Sequence, residues 1–331
     1  MTTDELLSTC YFPNEDIKNQ VIQTINALDD DGKKALLAYN DESSDFFQNA
    51  QPMLLARRFL ADPKKYPKLY HYTKSSSLKL ILRSRTFLAG SIGEMNDSEE
   101  IKHTYDMCLN ILKSLGASKN ELDEFSIQFI ATMIHFDIYL WCFTNSGDSM
   151  AMSRYGDTAL EFYNQDIQNN LANKFTPLNF ANGYMKSGDS FIFPLVVNYD
   201  QKFQEQYLTP ILKVILGAMR NIGVDPSDMK EILQNSLHSI FILSLCFKRP
   251  EIWEEREIRF VVLRLVKDGS SQEEIITSSG KHKVKIPLDD SILKQIILDR
   301  NWENKELDMR NLLDQCEFDG TRIRLTKIPY L

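Results

Sequence analysis

The sequence predicts an α+β protein: a split or mixed β-sheet core with helical insertions and a helical layer at its N-terminus. Three observations carry this. Short runs of strand formers recur in distant parts of the chain: KLYHYT, LWCFT, FIFPLVVNY and EIRFVVLRL. Long stretches with apolar residues at helical spacing separate them. No internal repeat or low-complexity tract intervenes, so strands that lie far apart in sequence must meet in one core.

Taken in order, residues 14–60 read as helix. Ile17, Val21, Ile25 and Leu28 recur at helical spacing behind an acidic start. The two prolines of DPKKYP (62–67) break that pattern, which sets an accessory helical region at 1–62 against an α+β domain at 66–331. KLYHYT then forms a strand with Leu69, His71 and Thr73 on one face and Tyr70 and Tyr72 on the other. Ser75–Ser77 are placed to cap the helix LKLILRSR, and TFLAG returns as a strand. Helical insertions near 98–139 and 201–245 follow, the first split by GASKN and the second by GVDPSD. LWCFT (140–144), FIFPLVVNY (191–199) and residues 256–266 read as strands between and after them. A lysine-rich hairpin, KHKVKIPL, and a closing strand and helix complete the chain.

Composition excludes several classes. With a net charge of −8 over 331 residues, the chain has no overall basic field for nucleic acid, leaving only a local basic cleft. No apolar run approaches the roughly 20 residues that span a bilayer. MTTDELLSTC lacks the basic start and apolar core of a secretory leader. The five cysteines are isolated, without CxxC or metal spacing, which suits reduced thiols, a cytoplasmic setting and no metal.

Gly-rich phosphate loops, HExxH, DxDxDG and GxSxG are all missing. Three clusters remain. His71 sits at a strand-to-helix turn, either as a structural histidine or as a neutral imidazole donating to a ligand hydroxyl beside a helix N-terminus that also favours phosphate. SMAMSRYGD (149–157) gathers Arg154, Tyr155 and Asp157 around a glycine. That is either a solvated turn or an arginine for phosphate with an aromatic for a planar ring. EIWEEREIRFVV (251–262) places Glu255, Glu257 and Arg259 two residues apart. On one strand they share a face, roughly 6–7 Å between neighbours. Two carboxylates for one in-line arginine leave a charge over, which favours a site. An internal Glu257–Arg259 pair is the structural alternative.

HYT, ILRSRTFLAGS, MND (95–97), WCFTN with SMAMSRYGD, and FKRPEIWEEREIRFVV occur in that order. Across roughly residues 68–320 they resemble a large bacterial family of unknown function, frequently encoded near phage-defence and mobile elements. More distantly the pattern resembles the ADP-ribosyltransferase superfamily. That resemblance implies NAD as substrate. It puts His71, with Tyr72 and Thr73 beside it, on the adenosine-side ribose or phosphate. Tyr155 stacks on nicotinamide; Arg154 and Arg259, the candidate phosphate ligands among the charged clusters, complete the expected cofactor-binding set. Glu257 is the catalytic carboxylate that grips the ribose 2′-hydroxyl and stabilises oxocarbenium charge, and Glu255 polarises the acceptor. His71 and Glu257 then face one cleft, with Tyr155 on its rim. The superfamily's Ser-Thr-Ser second motif is absent.

The expected function is therefore a mono-ADP-ribosyltransferase or another NAD-consuming effector in anti-phage defence or toxicity. The alternatives are a metal-independent nuclease that uses His71 and Glu257 as its acid–base pair, and a non-catalytic nucleotide-sensing, partner-binding defence protein. Expected partners are a nucleotide, a protein or nucleic-acid acceptor and a second copy of the chain, and no membrane.

Overall fold

A computed structural model describes residues 1–50, 52–94, 101–175, 190–265, 275–278, 280–289, 291–301 and 306–328. MND at 95–97 lies outside them. The chain opens with helices α1 (Thr3–Thr9), α2 (Glu15–Ala27), α3 (Asp30–Asn40), α4 (Asp45–Ala50) and α5 (Pro52–Phe59). Strand β1 (Lys68–Thr73), helix α6 (Ser75–Ser84) and strand β2 (Thr86–Ser91) follow. Helices α7 (Lys102–Ser114) and α8 (Lys119–Met133) lead into β3 (Phe136–Thr144), β4 (Thr158–Tyr163), α9 (Asn164–Phe175) and β5 (Ser190–Val196). Two long helices, α10 (Gln201–Asn221) and α11 (Pro226–Cys246), precede β6 (Glu257–Leu265), β7 (Ile275–Ser278), β8 (Lys281–Pro287) and β9 (Leu293–Leu298). Helix α12 (Glu306–Gln315) and strand β10 (Arg322–Leu325) come last.

The chain divides into two compact units, one made of 1–59, 99–135 and 198–250, the other of 60–98, 136–197 and 251–331. The first unit joins the N-terminal helices to the two helical stretches that the sequence set as insertions in the second domain. Its helices meet backbone to backbone. A side chain at Gly217 of α10 would place its Cβ 2.4 Å from the Asp31 carbonyl oxygen of α3, so only glycine allows the approach. Asn221 fixes the same crossing, accepting from the Asp29 N–H (3.1 Å) and donating to Asp29 Oδ1 (2.8 Å). No helix of the described residues is long and apolar enough to cross a membrane.

The second unit is a mixed sheet of ten strands among the described residues, in the order β10-β9-β4-β1-β3-β2-β8-β7, with β6 on β3 and β5 on β6. Only β9 and β10 run parallel among these pairs. HYT and EEREIR lie in this one unit, and HYT and the EIR of EEREIR in this one sheet, as the α+β reading requires. Strand β3 pairs with β6 along its whole length, from Phe136↔Leu265 to Thr144↔Glu257. Its other edge is shared: β2 takes Tyr139 and Leu140, and β1 takes Thr144. The sheet forks there.

The core lies on one face. Trp141 and Phe143 of β3 stand beside Phe260 and Ile258 of β6, and Leu69, Leu160 and Phe162 continue the row. Helices α6 (Leu78, Leu82), α9 (Ile167, Leu171) and α12 (Met309, Leu313) cover it. Two elements exceed the sequence reading. β3 begins at Phe136, inside the stretch near 98–139 that reads as a helical insertion, and TALEFY forms strand β4. Glu161 had interrupted the apolar run of TALEFY. It is buried, with Lys68 Nζ at 3.1 Å, Arg322 Nη2 at 3.6 Å and a hydrogen bond from Tyr70 (3.0 Å). Phe143 is fully buried at the centre of this aromatic cluster. Phe143→Ala is expected to cost about 3–5 kcal/mol, read as a lower urea midpoint.

Candidate functional site

The site begins where β1 hands over to α6. Lys74 occupies the cap position in extended conformation, and its side chain makes no capping bond. The serines predicted as caps stand one residue late, inside the first turn. The cap comes instead from 82 residues away: Asp157 Oδ1 accepts the Ser75 N–H at 2.6 Å. Two further contacts hold the segment before β4 against the end of β1. Thr158 Oγ1 donates to the Thr73 carbonyl (2.6 Å), and Gly156 packs so close that a Cβ there would lie 2.0 Å from the Thr73 carbonyl carbon. Only glycine fits.

This contact opens a cavity of about 440 Å³, within the size range of small-molecule sites. Tyr72, Lys74, Ser75, Arg154, Asp157 and Asp299 are among the residues that line it. Two cations, two carboxylates, an aromatic ring and the N-terminal turn of α6 therefore converge. The far wall is clasped by Asp148. Its carboxylate accepts from Arg324 (3.0 and 2.8 Å), from Thr326 Oγ1 (2.9 Å) and from the Lys327 N–H (2.9 Å). Burial works to raise the Asp148 carboxyl, but these donors outweigh it and leave it below its ordinary value. Thr326 and Ile328 of the clasped segment complete the lining.

Of the residues singled out from sequence, Tyr72 and Arg154 line the cavity directly. Tyr72 accepts the Ser149 N–H at 2.7 Å, and burial pushes its phenol to about 12. Thr73 is buried beneath the cavity, contributing its carbonyl to Thr158. Tyr155 stands beside Arg154, whose guanidinium lies 4.9 Å from its ring centre. Asp157 and Arg154 were legible in SMAMSRYGD. Asp299 and the Asp148 clasp were not, because β9 and β10 join the site only through long-range pairing.

His71 and Glu257 do not share a cleft. Register decides this: Glu257 pairs with Thr144, and Thr144 with Tyr70, so Glu257 lies on the Tyr70 face of the sheet. His71, one residue on, points to the other face, into the core. Its ring centre lies 4.6 Å from that of Phe87 and 5.9 Å from that of Phe143. Burial lowers its pKa to about 4, against the pull of the Cys142 carbonyl that faces Nδ1 at 2.8 Å. A carbonyl only accepts, so Nδ1 carries the proton and Nε2 of the neutral ring is an acceptor. The expected donation to a ligand hydroxyl is therefore corrected.

The three charges of EEREIR also part. Arg256 has φ 45°, a left-handed conformation uncommon outside glycine, and it ends a short 3-10 turn (Pro250–Glu255) before β6 begins. Alternation along a strand thus never reaches Glu255. Glu257 forms the in-line pair with Arg259 at 2.7 and 3.2 Å, the two residues 4 % and 0 % exposed. Glu255, 3 % exposed, turns instead to SMAMSRYGD: Arg154 donates to its Oε1, and so does the Tyr155 hydroxyl at 2.7 Å. Burial and this carboxylate push the Tyr155 phenol to about 12.

Among the described residues no group of three or more His, Cys, Asp or Glu is placed to hold a metal ion. No protein-family model, curated protein or solved structure matches the chain.

Two outcomes follow from this geometry. Removing one partner of the buried pair leaves the other charge stranded, so Glu257→Gln should cost about 3–5 kcal/mol. Glu257→Leu combined with Arg259→Met should cost less than that single change, as read in urea denaturation. For His71 the folded pKa lies below the ordinary 6.5. Its contribution is thus complete above that pH and is lost as pH falls toward 4, by up to about 3 kcal/mol. His71→Asn keeps a donor for Cys142 without titrating, and should flatten that part of the stability–pH curve.

Proposed function

We propose that this protein binds a phosphorylated nucleotide in the cavity between the start of α6 and the SMAMSRYGD segment. The observation that carries this reading is the pairing of unlike charges around one cavity. Lys74, Arg154 and the first turn of α6 suit phosphate oxygens. Asp157 and Asp299, on the same wall, suit ribose hydroxyls, which donate to carboxylates. An anion without hydroxyls would leave the carboxylates repelling it, and a neutral sugar would leave the cations unused. A nucleotide uses both. The tight seat of Gly156 against Thr73 brings these groups together without a side chain in the way.

NAD is the nucleotide that the resemblance to ADP-ribosyltransferases implies, and NAD consumption in anti-phage defence or toxicity rests on that resemblance. Sensing of a nucleotide needs the cavity alone. One preparation distinguishes them. Calorimetric titration with ADP-ribose and NAD is expected to show binding that Arg154→Ala weakens about 10- to 100-fold, the scale of a hydrogen bond to a charged group. Release of nicotinamide from NAD by the same protein supports an NAD-consuming enzyme, and binding without release supports a sensor. Absence of affinity for every nucleotide tried would overturn the proposal.

A further inference from the structure

Arg154 is bound on one side only. Its Nη2 makes both of its hydrogen bonds, to Glu255 Oε1 and to the Tyr155 hydroxyl (3.1 Å). Its Nε and Nη1 groups make none among the described residues, and the side chain is 52 % exposed while lining the cavity. A guanidinium held at Nη2 keeps the Nε–H and the two Nη1–H donors for a ligand, and Nη1, at the tip, can donate to phosphoryl oxygens. The anchor itself is fixed. Glu255 is buried, and the left-handed Arg256 that follows it swings it out of the line of β6 toward Arg154. A non-glycine residue in that conformation persists where its surroundings enforce it, and such outliers gather at functional sites.

We propose that Glu255 is a positioning residue: by gripping Nη2 it holds Arg154 at the cavity with its Nη1 donors left for a phosphoryl group, and the backbone turn at Arg256 delivers Glu255 there. This rests on the nucleotide reading above and adds which contact reads the phosphate. Glu255 acts through Arg154 without touching the ligand. A long, half-exposed arginine would otherwise sample many rotamers, and holding it in place removes that entropy before binding.

The experiment is calorimetry on the full chain with ADP-ribose, adenosine and inorganic pyrophosphate, with thermal melts of each variant. Glu255→Gln should weaken ADP-ribose and pyrophosphate about tenfold or more and leave any adenosine affinity unchanged. Arg154→Lys keeps the charge but not the planar guanidinium that Glu255 grips. It should weaken the same two ligands, and adding Glu255→Gln to it should change little further. Arg256→Gly, which adopts the turn freely, should bind as wild type does, whereas Arg256→Val should behave as Glu255→Gln. The proposal is overturned if Glu255→Gln binds ADP-ribose like wild type, whatever its melting point. It is equally overturned if its loss adds fully to that of Arg154→Lys, since Glu255 would then act elsewhere. Wild-type binding of pyrophosphate with this dependence on Glu255, but without nucleotide affinity, would sink the nucleotide reading and keep the positioning role.

Discussion

Strand β3 has two edges and three neighbours, and the sheet-bearing unit is organised by how it accommodates them. One edge is filled by β6 over nine residue pairs. The other is too long for either six-residue partner, so β2 takes the middle and β1 only the end. The fork separates the two strands that α6 connects. It also leaves the end of β1, at Thr73, free of β3 and in contact with β4 and the segment before it. The cavity sits at that end. Had β1 paired with β3 along its length, the start of α6 would stand elsewhere, and the cap from Asp157 would have no helix to reach.

Two buried glutamates of this sheet are compensated from within it. Glu257 and Arg259 neutralise one another in line, and Glu161 lies between Lys68, Arg322 and a tyrosine hydroxyl. Glu255 lies off that strand, before the left-handed Arg256, and accepts from Arg154 and Tyr155 of a distant loop. The two carboxylates, two residues apart in sequence, are therefore not neighbours on one strand face.

The fold was legible where side-chain pattern reports burial directly. The strands KLYHYT, TFLAG, LWCFT, FIFPLVVNY and EIRFVVLRL carry enough apolar or β-branched residues to identify themselves, and the helical stretches show their period. TALEFY hid because its central glutamate is compensated only by residues of other strands, which a linear reading cannot pair. For the candidate site, the sequence supplied Tyr72, Arg154, Tyr155, Asp157 and Glu255, since unusual residues cluster in short motifs. It did not supply their partners. Assigning His71 and Glu257 to one cleft required knowing the register of β1, β3 and β6, and a shift of one residue reverses every side chain. A positive φ at an arginine leaves no trace in composition at all, so the parting of Glu255 from Glu257 was invisible until the backbone was seen.

The clasp of Asp148 on Arg324 bears on when the cavity comes into being. Its walls draw on residues 72–76, 147–159 and 297–299, and are closed by 326–328. During synthesis, at roughly 5–20 residues per second, a chain that has already emerged past β6 still lacks β9, β10 and the arginine that grips Asp148. The loop bearing Arg154 then has no opposing wall. Whatever this cavity holds, a chain not yet extended past β10 cannot hold it, and the ligand first meets a protein in which Arg324 has reached Asp148.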